Sequence, residues 1–325
     1  METIRHIGVL TSGGDAPGMN AATRAVVRTA LSHGLDVTGI MRGYTGLIDG
    51  KFLKMDATSV SNIIQFGGTI LKTSRSADFY QEEGRARAAR ELRSRGIDAL
   101  VAIGGDGTFR GLYKLEKEHG IRGIGVPGTI DNDVYGTDFT IGFDTAANTA
   151  LESIDKIRDT AASHDRMFFI EVMGRACGAL ALSVGLAGGA EAILIPELPY
   201  DLDALCRTLE HGRDRGKTSF IIVVAEGVVE GGARTVADGV KSRLGVSYRV
   251  NVLGHIQRGG APTAFDRQLA SLLGRAAVET LLAGGSAAMA GTTCGRVRLV
   301  PLPETWEKHA AVDTDLLKVA EVVGS

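Results

Sequence analysis

Four short apolar runs in this chain each end in a polar, glycine-rich turn. Residues 4–10 lead into TSGGDAPGMN, 99–103 into GGDGT, 123–126 into PGTIDND and 168–172 into MGRACG. Further short apolar runs at 37–41, 193–195, 220–225 and 250–253 are interleaved with longer amphipathic stretches. Those lie near 19–33, 84–95, 109–119, 145–162, 202–215, 267–283 and 313–322. Short apolar runs bounded by turn residues read as buried strands, and longer periodic ones as helices. Their alternation predicts an α/β protein with mainly parallel sheets covered by helices. In such sheets ligands sit outside the carboxyl ends of the strands. Polar loops at four strand ends therefore ask for more than chain reversal.

The bulk properties narrow the classes of function. A chain of 325 residues has room for about two domains. No linker, repeat or low-complexity tract divides it, so two lobes would share crossovers. Net charge is −2, which provides no field for nucleic acid or an anionic membrane. Cys177, Cys206 and Cys294 form no CxxC pair and read as reduced thiols of a cytosolic protein. The opening METIRHIGVL has no signal-peptide pattern. The stretch 178–195 is mildly apolar, but its glycines and Glu191 exclude a membrane span. The protein is therefore expected to be cytoplasmic.

The strand-end loops suit phosphate chemistry. Backbone N–H groups in Thr11-Ser12-Gly13-Gly14-Asp15 and at the start of the following helix can cradle a phosphate. Gly104-Gly105-Asp106-Gly107-Thr108 repeats the arrangement, and Asp106 is placed to hold Mg²⁺ beside phosphate oxygens. Asp131 and Asp133 supply a base and a second carboxylate, and Thr129 a hydroxyl for the moving phosphoryl group. Arg75 in GGTILKTSR and Arg175 in EVMGR are candidate cationic clamps. His255 and Arg258 in VLGHIQRGG suit a sugar phosphate better than a metal. Each feature also has a bland reading, as a turn, a surface charge or a structural histidine.

Three similar-looking stretches fail their context. GIGVPG, 123–128, matches GxGxxG but occupies a strand and is interrupted by Pro127. GRDRGKT, 212–218, lacks one residue of a P-loop and runs from helix to strand. The arginine-rich RARAARELRSR, 85–95, reads as a solvated helix face.

In this order the motifs resemble those of the bacterial-type ATP-dependent 6-phosphofructokinases. The resemblance runs over essentially the whole chain, through IGVLTSGGDAPGMNAA, GGDGT, PGTIDND, SHDR, EVMGR, AEG and VLGHIQRGG. It implies transfer of the γ-phosphoryl of ATP to the 1-hydroxyl of fructose 6-phosphate, with Mg²⁺. Asp131 then matches the general base, with Thr129 and Asp133 beside it. Gly14, Arg75 and Arg175 match groups that stabilise the transferred phosphoryl. Asp106 matches the metal position, and Tyr44, Gly105, Gly107 and Thr108 the nucleotide side. Met173, Gly174, Glu226, His255 and Arg258 match the sugar-phosphate side. Arg166 and Arg249 match arginines reaching the 6-phosphate from a neighbouring subunit, which implies a homo-oligomer, usually a tetramer.

The phosphoryl donor is the main alternative. Pyrophosphate-using relatives carry Asp and Lys where this chain has Gly107 and Gly128, so ATP is expected. Lys72, where many relatives have Gly, and Tyr80, where arginine is common, are departures that bear on the donor. Arg24, Arg28, Arg158, Glu191, Arg215 and Lys217 resemble an inter-subunit effector site. Ala57, Thr218 and Ser219 replace cations there, so reduced or altered allostery is expected. A GGDGT kinase of the NAD or diacylglycerol type should turn β-rich in its second half, and a non-catalytic subunit should lack Asp106 or Asp131. The expected fold is two Rossmann-like three-layer lobes with the active site in the cleft between them. Residues 1–141 and 256–306 would bind nucleotide, and 142–255 and 307–325 would bind fructose 6-phosphate.

Overall fold

A computed structural model describes residues 4–324. The chain divides into two compact units: Met1–Ile130, Val134–Thr145 and Arg258–Ala310 in unit 1, and Asp131–Asp133, Ala146–Gln257 and Ala311–Ser325 in unit 2. In chain order the elements begin β1 (His6–Thr11), α1 (Met19–Ser32), β2 (Asp36–Ile40), α2 (Gly43–Ile48) and β3 (Phe52–Met55). Next come α3 (Glu82–Ser94), β4 (Ala99–Gly104), α4 (Asp106–His119), β5 (Arg122–Pro127) and α5 (Phe143–His164). Unit 2 continues with β6 (Met167–Val172), α6 (Ala179–Ala187), β7 (Ala192–Leu194), α7 (Leu202–Asp214), β8 (Phe220–Ala225), α8 (Gly232–Leu244) and β9 (Tyr248–Val252). The chain ends with α9 (Ala264–Leu282), β10 (Ala288–Thr293), β11 (Arg296–Pro301), α10 (Glu304–Glu307) and α11 (Asp315–Gly324).

Unit 1 holds a seven-stranded sheet in the order β11-β10-β5-β4-β1-β2-β3. Its five inner strands are parallel, and β3 and β11 close the edges antiparallel. β4 is ALVAIG, buried at every position, as a strand covered on both faces must be. Leu10, Leu100 and Ala102 pack with Leu92, Phe109 and Leu112 of α3 and α4. Val9, Val101 and Ile103 alternate to the other face, where α1 and α9 pack on the strands and on each other. The result is helix, sheet, helix.

Unit 2 holds a four-stranded, wholly parallel sheet in the order β7-β8-β6-β9. Central β8, FIIVVA, is buried throughout. Phe169, Ile222 and Val224 meet Leu205 and Leu209 of α7 and Val236 and Val240 of α8. Asp201 starts α7 as its N-cap, accepting from Ala204 N at 2.9 Å.

All eight strands expected from apolar runs are present within about two residues. The structure adds β3, β10 and β11, which that reading does not assign. β10 and β11 form a hairpin about Cys294 and Gly295, both at positive φ. Their AMAGTT and RVRLVP segments mix small and charged residues, so no apolar run marks them. No described helix is long and apolar enough to cross a membrane.

Candidate active site

In unit 1, β1, β4 and β5 are neighbours, so their carboxyl-end loops are neighbours too. Hydrogen bonds lace those loops together. Ser12 N donates to Ile103 O at 3.0 Å, and Gly128 N to Gly104 O at 3.0 Å. Thr108 Oγ1 donates to Ser12 O at 3.1 Å. The GGTILKTSR segment is strapped on as well: Thr11 Oγ1 donates to Lys72 O at 2.9 Å, and Thr73 Oγ1 to Gly13 O at 2.6 Å. Lys72 has φ +57°, a left-handed conformation that costs an L side chain about 1 kcal/mol. The Arg75 carbonyl accepts from Thr45 Oγ1 at 3.4 Å.

The GGDGT loop rests on an aromatic footing. Tyr44 is buried, donates its hydroxyl to Thr108 O at 2.6 Å and stacks on Phe79 at 3.9 Å between centroids. Burial pushes its phenol pKa well above the usual range, so it stays a donor. Phe79 is held in turn by Arg85, which donates to Phe79 O at 2.9 Å and Tyr80 O at 2.7 Å. The arginine row is a solvated face at Arg87, Arg90, Arg93 and Arg95, and departs from that expectation at Arg85. Arg85 is 4% exposed and forks onto Glu118 at 2.5 and 2.8 Å, because α3 turns it inward to close the 78–80 turn. Its hydrogen bonds and charge pull the Glu118 carboxyl below its ordinary pKa. Tyr80 itself is exposed.

Asp106 opens α4, with Arg110 at 3.6 Å. A Cβ placed on Gly105 or Gly107 meets nothing within 4 Å, so the protein leaves the space above the loop open. Gly128 differs: a Cβ there comes within 3.1 Å of Ile103 and 3.2 Å of Met19. Gly14 is tighter still. The Arg258 guanidinium lies 2.6 Å from where its Cβ would be, and Arg258 donates to Asp15 O at 2.9 Å. Arg258 is thus part of the first glycine loop, and is 8% exposed.

In unit 2, Asp131 is 1% exposed, with Arg175 Nε 3.4 Å from its Oδ2. Arg175 has φ +53° and a half-exposed side chain. Its loop is fixed by Glu226 Oε1, which accepts from Arg175 N at 2.8 Å and Gly174 N at 3.2 Å. Arg175 and Glu226 line an open depression with Glu171, Ala176, Gly227, Gly231 and Gly232. Met173 and Asp133 are half-buried, and His255 is exposed. Cys177 lies beneath, its thiol pushed up to about 11, first by burial and then by Glu197, Asp133 and Asp131.

Arg166 and Arg249 do not join this group. Arg166 precedes β6, and Arg249 pairs with Phe168 near the amino ends of β6 and β9. Arg175 follows the carboxyl end of β6, about 20 Å of strand away. Of the suspected effector residues, Arg158, Lys217 and Glu191 come together, with Glu191 Oε1 at 3.7 Å from Arg158 and 2.7 Å from Lys217. Arg158 also donates to Gly189 O at 2.7 Å. Arg24 and Arg28 lie one turn apart on α1 of unit 1, and Arg215 ends α7.

Among the described residues no group of three or more His, Cys, Asp or Glu side chains could cage a metal. One carboxylate at a helix N-terminus, beside open space, suits a cation bound mainly through substrate phosphates.

Glycine-rich loops joined across the carboxyl ends of adjacent parallel strands define an α/β protein built to hold phosphorylated ligands. The family model for phosphofructokinase matches residues 6–281, and the chain belongs to that family. It is 59% identical to an ATP-dependent 6-phosphofructokinase 1 of Thermus thermophilus, over 98% of this chain and 99% of that one. It is 53% identical to the ATP-dependent 6-phosphofructokinase of Halothermothrix orenii, over the same shares. A phosphofructokinase structure from Saccharomyces cerevisiae matches with TM-score 0.88 and 38% identity, over 98% of this chain and 48% of that one. A pyrophosphate-dependent phosphofructokinase from Marinobacter aquaeolei matches with TM-score 0.82 and 26% identity, over 98% and 91%.

Proposed function

We infer that this chain is an ATP-dependent 6-phosphofructokinase. It moves the γ-phosphoryl of ATP to the 1-hydroxyl of fructose 6-phosphate, giving fructose 1,6-bisphosphate and ADP. The observation that carries this reading is the 59% identity, end to end, with an ATP-dependent relative. The open space at Gly107 supports the same donor, because an aspartate there would occupy it. The pyrophosphate-dependent alternative has the weaker likeness, at 26% identity.

Each residue then has a physical task. The Asp131 carboxylate accepts the 1-hydroxyl proton as the sugar oxygen bonds to the γ-phosphorus. The bond from that phosphorus to the β,γ-bridging oxygen breaks, and ADP leaves. Buried beside Arg175, Asp131 has a guanidinium 3.4 Å from its Oδ2, a charge that faces the carboxylate and restricts its orientation. Arg175 and Arg75 face the negative charge of the transferred group, with the amide of Gly14 and the hydroxyl of Thr129. Gly105, Gly107, Thr108 and Tyr44 form the nucleotide side. Met173, Gly174, Glu226, His255 and Arg258 form the sugar-phosphate side, with Asp133 beside the base. Asp106 would hold Mg²⁺ through its carboxylate, and the ion would supply charge neutralisation on the phosphate oxygens.

Arg166 and Arg249 serve a neighbouring subunit's 6-phosphate in a cytoplasmic homotetramer. Their distance along β6 and β9 from Arg175 supports this, since one subunit's Arg175 group does not use them. Arg24, Arg28, Arg158, Glu191, Arg215 and Lys217 belong to an effector site formed between subunits, weakened by Ala57, Thr218 and Ser219.

The test is fructose 1,6-bisphosphate formation with ATP and pyrophosphate in parallel, for wild type and Asp131→Ser. Turnover with ATP alone is expected, with kcat falling about 10²- to 10⁴-fold in the variant. Turnover with pyrophosphate would overturn the donor. An unaffected variant would overturn the base.

A further inference from the structure

Asp266 of α9 is fully buried and accepts three hydrogen bonds. They come from Gly142 N at 2.8 Å, Thr145 N at 2.8 Å and Thr145 Oγ1 at 2.5 Å. Both backbone donors lie at the start of α5, so a side chain of one helix caps another. The favour is returned through Thr263. Its Oγ1 accepts from Asp266 N at 3.3 Å, capping α9, and donates to Asp144 Oδ2 at 2.5 Å. Thr263 N donates to Thr145 Oγ1 at 3.0 Å. The amino ends of α5 and α9 are clasped together inside unit 1.

The clasp sits at the neck of the loop that carries Asp131. Thr140 Oγ1 donates to Thr129 O at 2.6 Å, and Ile141 N to Pro127 O at 2.9 Å. The next residue, Gly142, donates to Asp266. Three consecutive positions thus tie the returning limb of the loop, two to its outgoing limb and the third to the carboxylate. Gly142 has φ +106°, and a Cβ there would fall 2.6 Å from Ala16 Cβ. The neck is therefore wedged against the first glycine loop and cannot swing outward without breaking its bond to Asp266.

We propose that Asp266 is a positioning residue for phosphoryl transfer. By holding Gly142 and Thr145 it fixes the neck of the 129–141 loop, and through it Thr129 and the Asp131 carboxylate, while touching neither substrate. The inference rests on the phosphofructokinase reading above. A carboxylate is required because three donors converge on it, in the first turn of its own helix and at the positive end of a second. An amide of the same shape would turn an N–H₂ group toward one of those donors.

The experiment uses the full chain as Asp266→Asn, Thr145→Val and Thr145→Ser, with Val278→Ala as a control that loosens the buried face of α9. Oligomer mass, thermal midpoint, ATP dissociation constant, kcat and KM are measured for each. Asp266→Asn should lose about 30-fold in kcat, since a misplaced reacting group costs that order. Its ATP dissociation constant should stay within about twofold, because the GGDGT loop is tied elsewhere. Thr145→Val should lose kcat in the same direction, and Thr145→Ser should restore it. Val278→Ala should lower the midpoint and leave kcat intact. If Asp266→Asn lowers the midpoint but keeps kcat within about threefold, the residue is only structural. A kcat loss in Val278→Ala equal to that in Asp266→Asn would overturn the proposal equally. If Asp266→Asn does not fold, the Thr145 pair decides: equal turnover in Val and Ser sinks the idea. Wild type inactive with either donor is a different failure, of the functional reading itself, and is seen before any variant is made.

Discussion

In unit 1 the loops after β1 and β4 are held mostly by neutral groups, Thr108 on Ser12 O, Thr73 on Gly13 O, Thr11 on Lys72 O and Tyr44 on Thr108 O, with Arg258 on Asp15 O as a charged exception. In unit 2 the loop after β6 is held by charge, with Glu226 on two backbone amides and Asp131 beside Arg175. The difference follows from what each must do. A loop that wraps a polyphosphate needs its own amides free to point outward, and a backbone fixed largely by hydroxyls does that with few cations. A group that moves a proton needs a carboxylate held beside a compensating charge, and the Arg175 guanidinium supplies one. The neutral region should therefore be sensitive to space and the charged region to single charges.

The hardest blow to the charged region is Arg175→Ala. It removes the cation beside buried Asp131 and one of the groups facing the transferred phosphoryl. Loss of one such stabilising group costs about 10²- to 10³-fold in kcat. The thermal midpoint should hardly move, because the Arg175 side chain is 53% exposed and contributes little packing. Steady-state kinetics beside a melting curve checks this. A large fall in midpoint with unchanged kcat would make Arg175 a structural residue, and the contrast between the regions would fail.

Gly107→Asp and Gly128→Lys test the neutral region, and the structure separates them. At Gly107 a side chain meets no protein atom, so Gly107→Asp should keep the wild-type midpoint. It should weaken ATP binding about 10-fold or more, because like charges meet in the nucleotide's space. At Gly128 the first added carbon already presses on Ile103 and Met19, so Gly128→Lys should lose about 1–3 kcal/mol of stability whatever the donor. Chemical unfolding and ATP titration of the single variants check both. Equal stability losses would mean that the two glycines are kept for packing alone.

How much of this the sequence discloses depends on the kind of force involved. The strands of the phosphate loops carry apolar stretches, IGVL, ALVAI and GIGV, so β1, β4 and β5 are readable with their loops attached. The edge hairpin of β10 and β11 is not, because an edge strand needs no continuous apolar run and its Cys-Gly turn is not a recognised hairpin signal. Arg85 and Asp266 show a different gap. Each is a charge that the fold buries by supplying partners far away in sequence, Glu118 for one and Gly142 with Thr145 for the other. Local composition around Arg85 is that of an exposed helix, and nothing in it reveals that one arginine of the row turns inward. Around Asp266 the only local sign is Thr263 three residues earlier, the usual spacing for an N-cap, and it marks the helix start without the clasp. Arg258 stands out in VLGHIQRGG, but its place against Gly14 depends on the third dimension alone.

Lys72 crosses the line between the regions, as an exposed cation in a mainly neutral scaffold, and its effects should be the smallest. Its backbone is left-handed and its carbonyl is pinned by Thr11. Lys72→Gly relieves that conformation, but glycine also gains about as much freedom in the unfolded chain, so the two changes of about 1 kcal/mol nearly cancel. Stability should then stay within about 0.5 kcal/mol of wild type. The charge is a separate matter. If the ammonium faces the donor phosphates from this exposed loop, its loss should raise KM for ATP only about two- to fivefold, since water screens it. That effect should shrink as salt is raised, because the Debye length falls to about 3 Å near 1 M. A KM shift that survives high salt would mean that Lys72 acts through the backbone it holds. The strap from Thr11 to Lys72, and not the cation, would then be what the nucleotide side requires.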